Sequence, residues 1–193
     1  MSQIDASPAA AENLPPSSLI ATAIFLTTEV MFFAGLLSAY LVLRAGAPDW
    51  PPENQPFLPI TATALNTLTL IGSAVTINYA VRAAREGEHE DTFLWLMMTF
   101  GLGVIFLSIQ GAEWVKLVGQ GLTLSSSSYG ATFYTLIGAH ALHVAAAVIA
   151  LLVLARRASF EKGRSLVNAL EAGQLYWFFV VALWLVLFAV VYP

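Results

Sequence analysis

The chain has 193 residues, of which 58% are hydrophobic and only 10% charged, with a formal net charge of −4 and a mean hydropathy of +0.75. A water-facing domain carries roughly a quarter charged residues, so this composition specifies a protein whose solvent is lipid. Its acidic balance argues against a nucleic-acid partner, which would need a basic patch. The absence of cysteine excludes disulfides, thiolate metal sites, iron–sulfur clusters and cysteine nucleophiles.

Residues 1–18 are polar and carry Asp5 and Glu12 but no Lys or Arg. A secretory signal opens with a positive segment, so the first apolar run is expected to be a retained helix preceded by a disordered tail. Crossing a hydrocarbon core of about 30 Å takes roughly 20 apolar residues in a helix. Five stretches qualify: about 19–43, 58–81, 92–117, 130–155 and 171–192. Prolines 48, 51, 52, 56 and 59 fill the first gap, Arg85 to Asp91 the second, Ser125 to Ser128 the third, and Arg156 to Asn168 the fourth. The runs are too long and too continuously apolar for strands of a membrane barrel. The expected fold is all-α, a polytopic five-transmembrane-helix bundle forming one membrane domain over 19–193.

Basic residues mark the cytoplasmic side of a membrane protein. Arg82, Arg85, Arg156, Arg157, Lys162 and Arg164 share the side of the N-terminal tail, and only Arg44 and Lys116 lie opposite. The N-terminus is therefore expected in the cytoplasm, with Trp50 and Trp114 as anchors near the outer boundary.

Polar residues inside the spans are the informative ones, because lipid excludes them unless they are used. Glu29 lies ten residues into the first span, about 15 Å along the helix axis, among Phe25, Leu26, Phe32, Phe33 and Leu36. A carboxyl group there is neutral or paired. It is either a proton-handling or ligand-contacting acid, or a protonated group hydrogen-bonded to a neighbouring helix. In the third span Gln110 and Glu113 lie one turn apart beside Trp114, and interfacial packing is the favoured role for Glu113. The fourth span carries His140 and His143 at i and i+3. A metal or haem site could use them, but H-x-x-H supplies two ligands and the remaining histidine, His89, is in a loop. The Gly138, Ala139, Ala141 and Ala145–Ala147 surroundings let backbones approach, and interhelical hydrogen bonding is the favoured reading. Glu171 is expected in the first turn of the fifth span, where the helix dipole favours an acid. There is no Walker loop, G-x-S-x-G elbow or nucleophile–base pair, so catalysis by this chain alone is not expected.

The polar residues are embedded in a longer ordered pattern. T-E-V-M-F-F-A-G at 28–35, W-P-P at 50–52, L-N-T at 65–67, Q-G-A-E-W at 110–114, Y-G-A-T-F-Y at 129–134, G-A-H-A-L-H-V at 138–144 and E-A-G-Q-L-Y-W at 171–177 together resemble subunit III of the haem–copper respiratory oxidases. The resemblance runs over about residues 19–193 and implies a short, five-helix member. It implies a non-catalytic subunit without its own haem or copper, those cofactors belonging to partner subunits. Its expected partners are the catalytic subunit I, other oxidase subunits and phospholipid held in an interhelical cleft. It would support proton uptake and turnover stability while the complex reduces oxygen in a bacterial plasma membrane, and a larger respiratory supercomplex is a further candidate partner. Carried over by position, Glu29 is the buried acid near the lipid cleft and Arg156 a basic residue able to meet a lipid phosphate. His140, His143, Glu113 and Asn66 are polar bundle positions with structural roles. The sequence departs from the pattern after Tyr176-Trp177, where the family commonly has a histidine and, three residues on, an aspartate; here stand Phe178 and Val181. A subunit-III-like component of a nitric oxide reductase shares much of the pattern. A small proton-coupled transporter using Glu29 and the histidine pair is the alternative from another class, although no internal repeat supports it. A b-type cytochrome would need histidines on two helices, and both membrane histidines share one.

Overall fold

The computed structural model describes residues 16–53 and 55–192. Five helices account for nearly all of them: α1 Ser17–Gly46, α2 Ile60–Glu86, α3 His89–Gly119, α4 Ser128–Phe160 and α5 Arg164–Val191. All five are long and apolar enough to cross a membrane, and no strand is present among the described residues. The tail expected to be disordered falls chiefly on residues 1–15, outside the described residues, whereas Ser17 and Ser18 already belong to α1.

The helices run beyond the apolar stretches, because hydropathy marks only the part meant for hydrocarbon and a helix continues until its backbone is capped. Arg82 and Arg85 are thus helical, and α2 ends where Gly87 takes a left-handed φ of 80° and returns its N–H to Ala83 and Ala84 carbonyls. Two residues later α3 begins, with Glu90 and Asp91 in the first turn, where the dipole favours them. Ser127 caps α4, its hydroxyl accepting the Gly130 N–H at 3.1 Å. Glycine is suited to position 130, since a Cβ there would meet the Thr123 carbonyl and the Ser126 hydroxyl. Helix α5 starts at Arg164, two turns before the expected boundary, so Glu171 is not a first-turn acid. It instead binds Arg85 of α2 through both Nε (3.0 Å) and Nη2 (2.8 Å).

Helices α2 to α5 close into a four-membered ring, α2 packing on α3 and α5, and α4 on α3 and α5. Lipid supplies no hydrophobic drive between helices, so close packing and interhelical hydrogen bonds hold such a bundle. Both are present. Gly103 of α3 receives the Trp177 ring of α5 and Val148 of α4, where a Cβ would lie 2.8 Å and 2.9 Å from them. Trp177 Nε1 donates to Ser73 Oγ at 3.0 Å and Trp184 Nε1 to Thr67 Oγ1 at 2.9 Å, both joining α5 to α2. The hydroxyls of Thr76 and Thr99 meet at 2.8 Å between α2 and α3. Asn66 joins the same pair, its Nδ2 donating to the Phe106 carbonyl at 3.0 Å.

Helix α1 stands outside this ring and touches α4 and α5 alone among the described helices. Its buried residues are Leu26, Phe33 and Tyr40, one every seven. Only 11% of its most apolar window is buried, against 39% for α2, α4 and α5. At one end Ser18 Oγ reaches the Asn168 carbonyl of α5 (3.4 Å), and at the other Arg44 Nη1 donates to the Val190 carbonyl (3.0 Å).

Candidate functional site: the cleft between α1, α4 and α5

Between the N-terminal half of α1 and helices α4 and α5 lies a cleft of about 550 Å³. Thr22 and Phe25 of α1, Val153 and Arg157 of α4, and Gly173 and Tyr176 of α5 are among its walls. The lining is mostly apolar, with Arg157 toward the α4 C-terminus and Tyr176 on α5. Tyr176 donates to the backbone carbonyl of His143 at 3.4 Å and packs against Phe25, ring centres 6.0 Å apart.

His143, whose carbonyl Tyr176 meets, belongs to an ionisable pair. His143 Nε2 is 2.8 Å from Glu29 Oε2, joining α4 to α1, and the two side chains are only 20% and 16% exposed. Phe33 packs edge-on against the imidazole at 5.1 Å and Phe32 stacks at 6.4 Å. His143 Nδ1 faces the Ala139 carbonyl at 2.8 Å. A carbonyl only accepts, so Nδ1 carries a hydrogen. One further proton then lies between Nε2 and the carboxyl: a neutral acid donates to the imidazole, or an imidazolium donates to the carboxylate. The two forms bear the same total charge, so a proton can change owner without adding net charge to the bundle.

The other expected site residues fall elsewhere. His140 shares a helix with His143 but serves a different contact, stacking on Trp184 of α5 with ring centres 5.2 Å apart. Both its ring nitrogens are buried without a protein partner. The interhelical hydrogen bonding favoured from the sequence is therefore made by His143 and not by His140. Glu113 pairs with Lys116 on the same helix at 2.7 Å, and Lys116 is 65% exposed. Gln110 donates from Nε2 to the Tyr192 hydroxyl at 3.1 Å. Arg156 is exposed, while its neighbour Arg157 lines the cleft and binds Glu161 through two contacts of 3.0 and 2.7 Å. That hydrogen bond, with the attraction of the guanidinium, holds the Glu161 carboxyl below its usual range. Phe178 is 38% exposed and Val181 is buried in the core, so neither offers Glu29 a polar partner.

Sequence reasoning did not anticipate Arg157, Tyr176 or the pairing of Glu29 with His143. A signal for the last was present, since ionisable groups at membrane depth pair with one another and these two are each near mid-span. Among the described residues no three His, Asp or Glu side chains converge closely enough to hold a metal ion.

The sequence matches the family model described as cytochrome c oxidase subunit III over residues 18–193. It is 37% identical over 182 residues to a probable cytochrome c oxidase subunit 3 of Nocardia farcinica, covering 93% of this chain and 89% of that one. It is also 37% identical to cytochrome c oxidase subunit 3 of Corynebacterium diphtheriae, covering 95% and 91% of the two chains. For the protein of the same name from Synechocystis the identity is 34%, over 92% of this chain and 76% of that one. With a bundle of five membrane-length helices and a family match running from residue 18 to the last, the chain belongs to the cytochrome c oxidase subunit III family.

Proposed function

We propose that this chain acts as the non-catalytic subunit III of a respiratory haem–copper oxidase, holding phospholipid in the α1/α4/α5 cleft and supporting proton uptake and stability of the catalytic subunit. The observation that carries the lipid reading is the lining of the cleft: mostly apolar walls for acyl chains, with the Arg157 guanidinium among them. An anionic phosphate suits Arg157, and Arg156 beside it adds a second positive charge. With the basic helix ends of α2, α4 and α5 toward the cytoplasm, the N-terminus lies on that side too and the cleft opens to the inner leaflet. Haem and copper reside in the partner subunits, and subunit I packs against the exposed faces of this bundle in a bacterial plasma membrane.

The test is purification of the intact oxidase in mild detergent, with its subunits identified and bound lipid quantified by mass spectrometry. The chain should travel with a haem-bearing subunit. The double substitution Arg156→Ala with Arg157→Ala should lower retained anionic phospholipid while leaving zwitterionic lipid in the annulus unchanged. An unaltered lipid complement would remove the phosphate contact, and recovery of the chain without a haem-bearing partner would remove the oxidase assignment.

A further inference from the structure

Helices α2 and α5 are tied along two lines. On the inner line Trp177 donates to Ser73 and Trp184 to Thr67, all four buried. On the outer line Gln174 Nε2 donates to Asn78 Oδ1 at 3.0 Å, and toward the α2 C-terminus Arg85 binds Glu171. An ion pair at a helix end meets water or headgroups, but the amide pair does not. Asn78 and Gln174 both lie inside the apolar stretches 58–81 and 171–192. At 1.5 Å per residue, Asn78 is about 8 Å from the midpoint of α2 and Gln174 about 5 Å from that of α5. The Ser73–Trp177 contact holds those midpoints level, and half of a hydrocarbon core is about 15 Å. Yet Asn78 is exposed and Gln174 partly so. The other carboxamides of the apolar stretches, Asn66 and Gln110, are buried at 3% and 4% exposure.

The chemistry of the pair selects what covers it. A carboxamide has two donor hydrogens and an acceptor oxygen. The shared hydrogen bond leaves the Asn78 Nδ2 group and the Gln174 oxygen without a partner among the described residues. Outward hydroxyls elsewhere leave no donor open, since each returns to a carbonyl of its own helix: Thr27 to Ala23, Ser108 to Val104 and Thr135 to Ala131, at 2.8–2.9 Å. Acyl chains supply neither donor nor acceptor, and open amide groups in hydrocarbon are costly. A second membrane helix answers both groups, because such helices join through side chains that donate and accept. The surroundings suit one: Ile71, Val75, Leu175 and Phe178 are apolar and 37–51% exposed on the same two helices.

We propose that the outer α2/α5 face is the docking surface for a membrane-spanning helix of the haem-bearing partner subunit. That helix presents a neutral side chain able to donate and accept, an amide or a hydroxyl, to Asn78 and Gln174. Membership of an oxidase subunit family supplies the partner, and the assignment rests on the reading of this chain as part of that complex. It is independent of what fills the lipid cleft, which lies between α1, α4 and α5.

Photocrosslinking in the assembled oxidase tests it, with benzoylphenylalanine placed at Phe178 or at Val75. For contrast the same label is placed at Ile105, exposed on α3 at the diagonal corner of the ring. The expected result is a covalent product with the haem-bearing subunit from Phe178 and Val75, several-fold more abundant than from Ile105. Products with lipid alone, with a second copy of this chain, or with the haem-bearing subunit equally from all three positions overturn the proposal. A chain that travels with the haem-bearing subunit yet gives no such product loses the docking face and keeps the oxidase reading. Asn78→Leu combined with Gln174→Leu removes the polar groups at similar volume, while the two tryptophan contacts still join α2 to α5. That variant should leave the complex at a several-fold lower detergent concentration, and retention equal to wild type overturns the polar contact. Should it fail to assemble, the crosslinks decide.

Discussion

At the scale of single residues, Glu29 and His143 form a unit whose members cannot be removed independently. Glu29→Gln retains an amide N–H that can donate to His143 Nε2, so the α1–α4 tie persists while the movable proton is lost. The expected outcome is normal assembly with a faster decline of turnover during sustained oxygen consumption, followed by oxygen electrode. Glu29→Leu leaves the imidazole unanswered in an apolar setting, a loss of about 1–3 kcal/mol, and should lower the midpoint of thermal disassembly as well. The acid was legible in the sequence because a carboxyl group among Phe and Leu stands out, whether it handles a proton or ties two helices together. Its partner was not, since His140 and His143 share a helix and a stretch of small residues, and only helix rotation decides which faces α1. Likewise Arg157 and Arg156 are indistinguishable in sequence, though about 100° of helical rotation separates their directions.

At the scale of elements, the interior of the ring depends on a missing side chain, at Gly103 of α3, where Trp177 of α5 and Val148 of α4 meet it. Gly103→Ala would drive a methyl into the Trp177 ring and Val148, an overpacking expected to cost about 1–3 kcal/mol. The cost should be partly relieved in a Trp177→Phe background, because the closest ring atoms are absent from phenylalanine. A double-mutant cycle on thermal disassembly would read that coupling. The α4 C-terminus offers a titration. With the Glu161 carboxyl lowered by Arg157, this clasp contributes above the ordinary carboxylate value and is lost as pH falls through the lowered one. Arg157→Ala should return Glu161 upward, measurable by carbon-13 NMR of labelled glutamate, and the clasp is too exposed to affect global stability detectably. Helix existence was plain from hydropathy, whereas the ends were not. Arg82, Arg85 and Arg164 look like loop residues by charge, yet each is helical because the backbone continues until Gly87, or begins at Gly163, where glycine admits positive φ.

At the scale of the whole molecule, the five spans and the family were readable from ordered strings along the chain, but the arrangement of the helices was not. Nothing in the pattern says that α2 to α5 close on themselves while α1 remains outside, since Thr67, Ser73, Thr76 and Thr99, which hold the ring together, are unremarkable residues until their partners are known. The burial of Leu26, Phe33 and Tyr40 at intervals of seven is the feature with the widest reach. A helix secured along one line resists sliding but turns readily about that line, as a door does on its hinge. The Glu29–His143 contact and the Arg44–Val190 contact then act as its latches. Loss of activity on delipidation should accordingly follow the single-exponential kinetics of one helix swinging away, faster in Glu29→Leu and Arg44→Ala, with amide hydrogen exchange rising in α1 while α2 to α5 stay protected. What fails first under a harsh detergent is then the fit of a door, with the room behind it still standing.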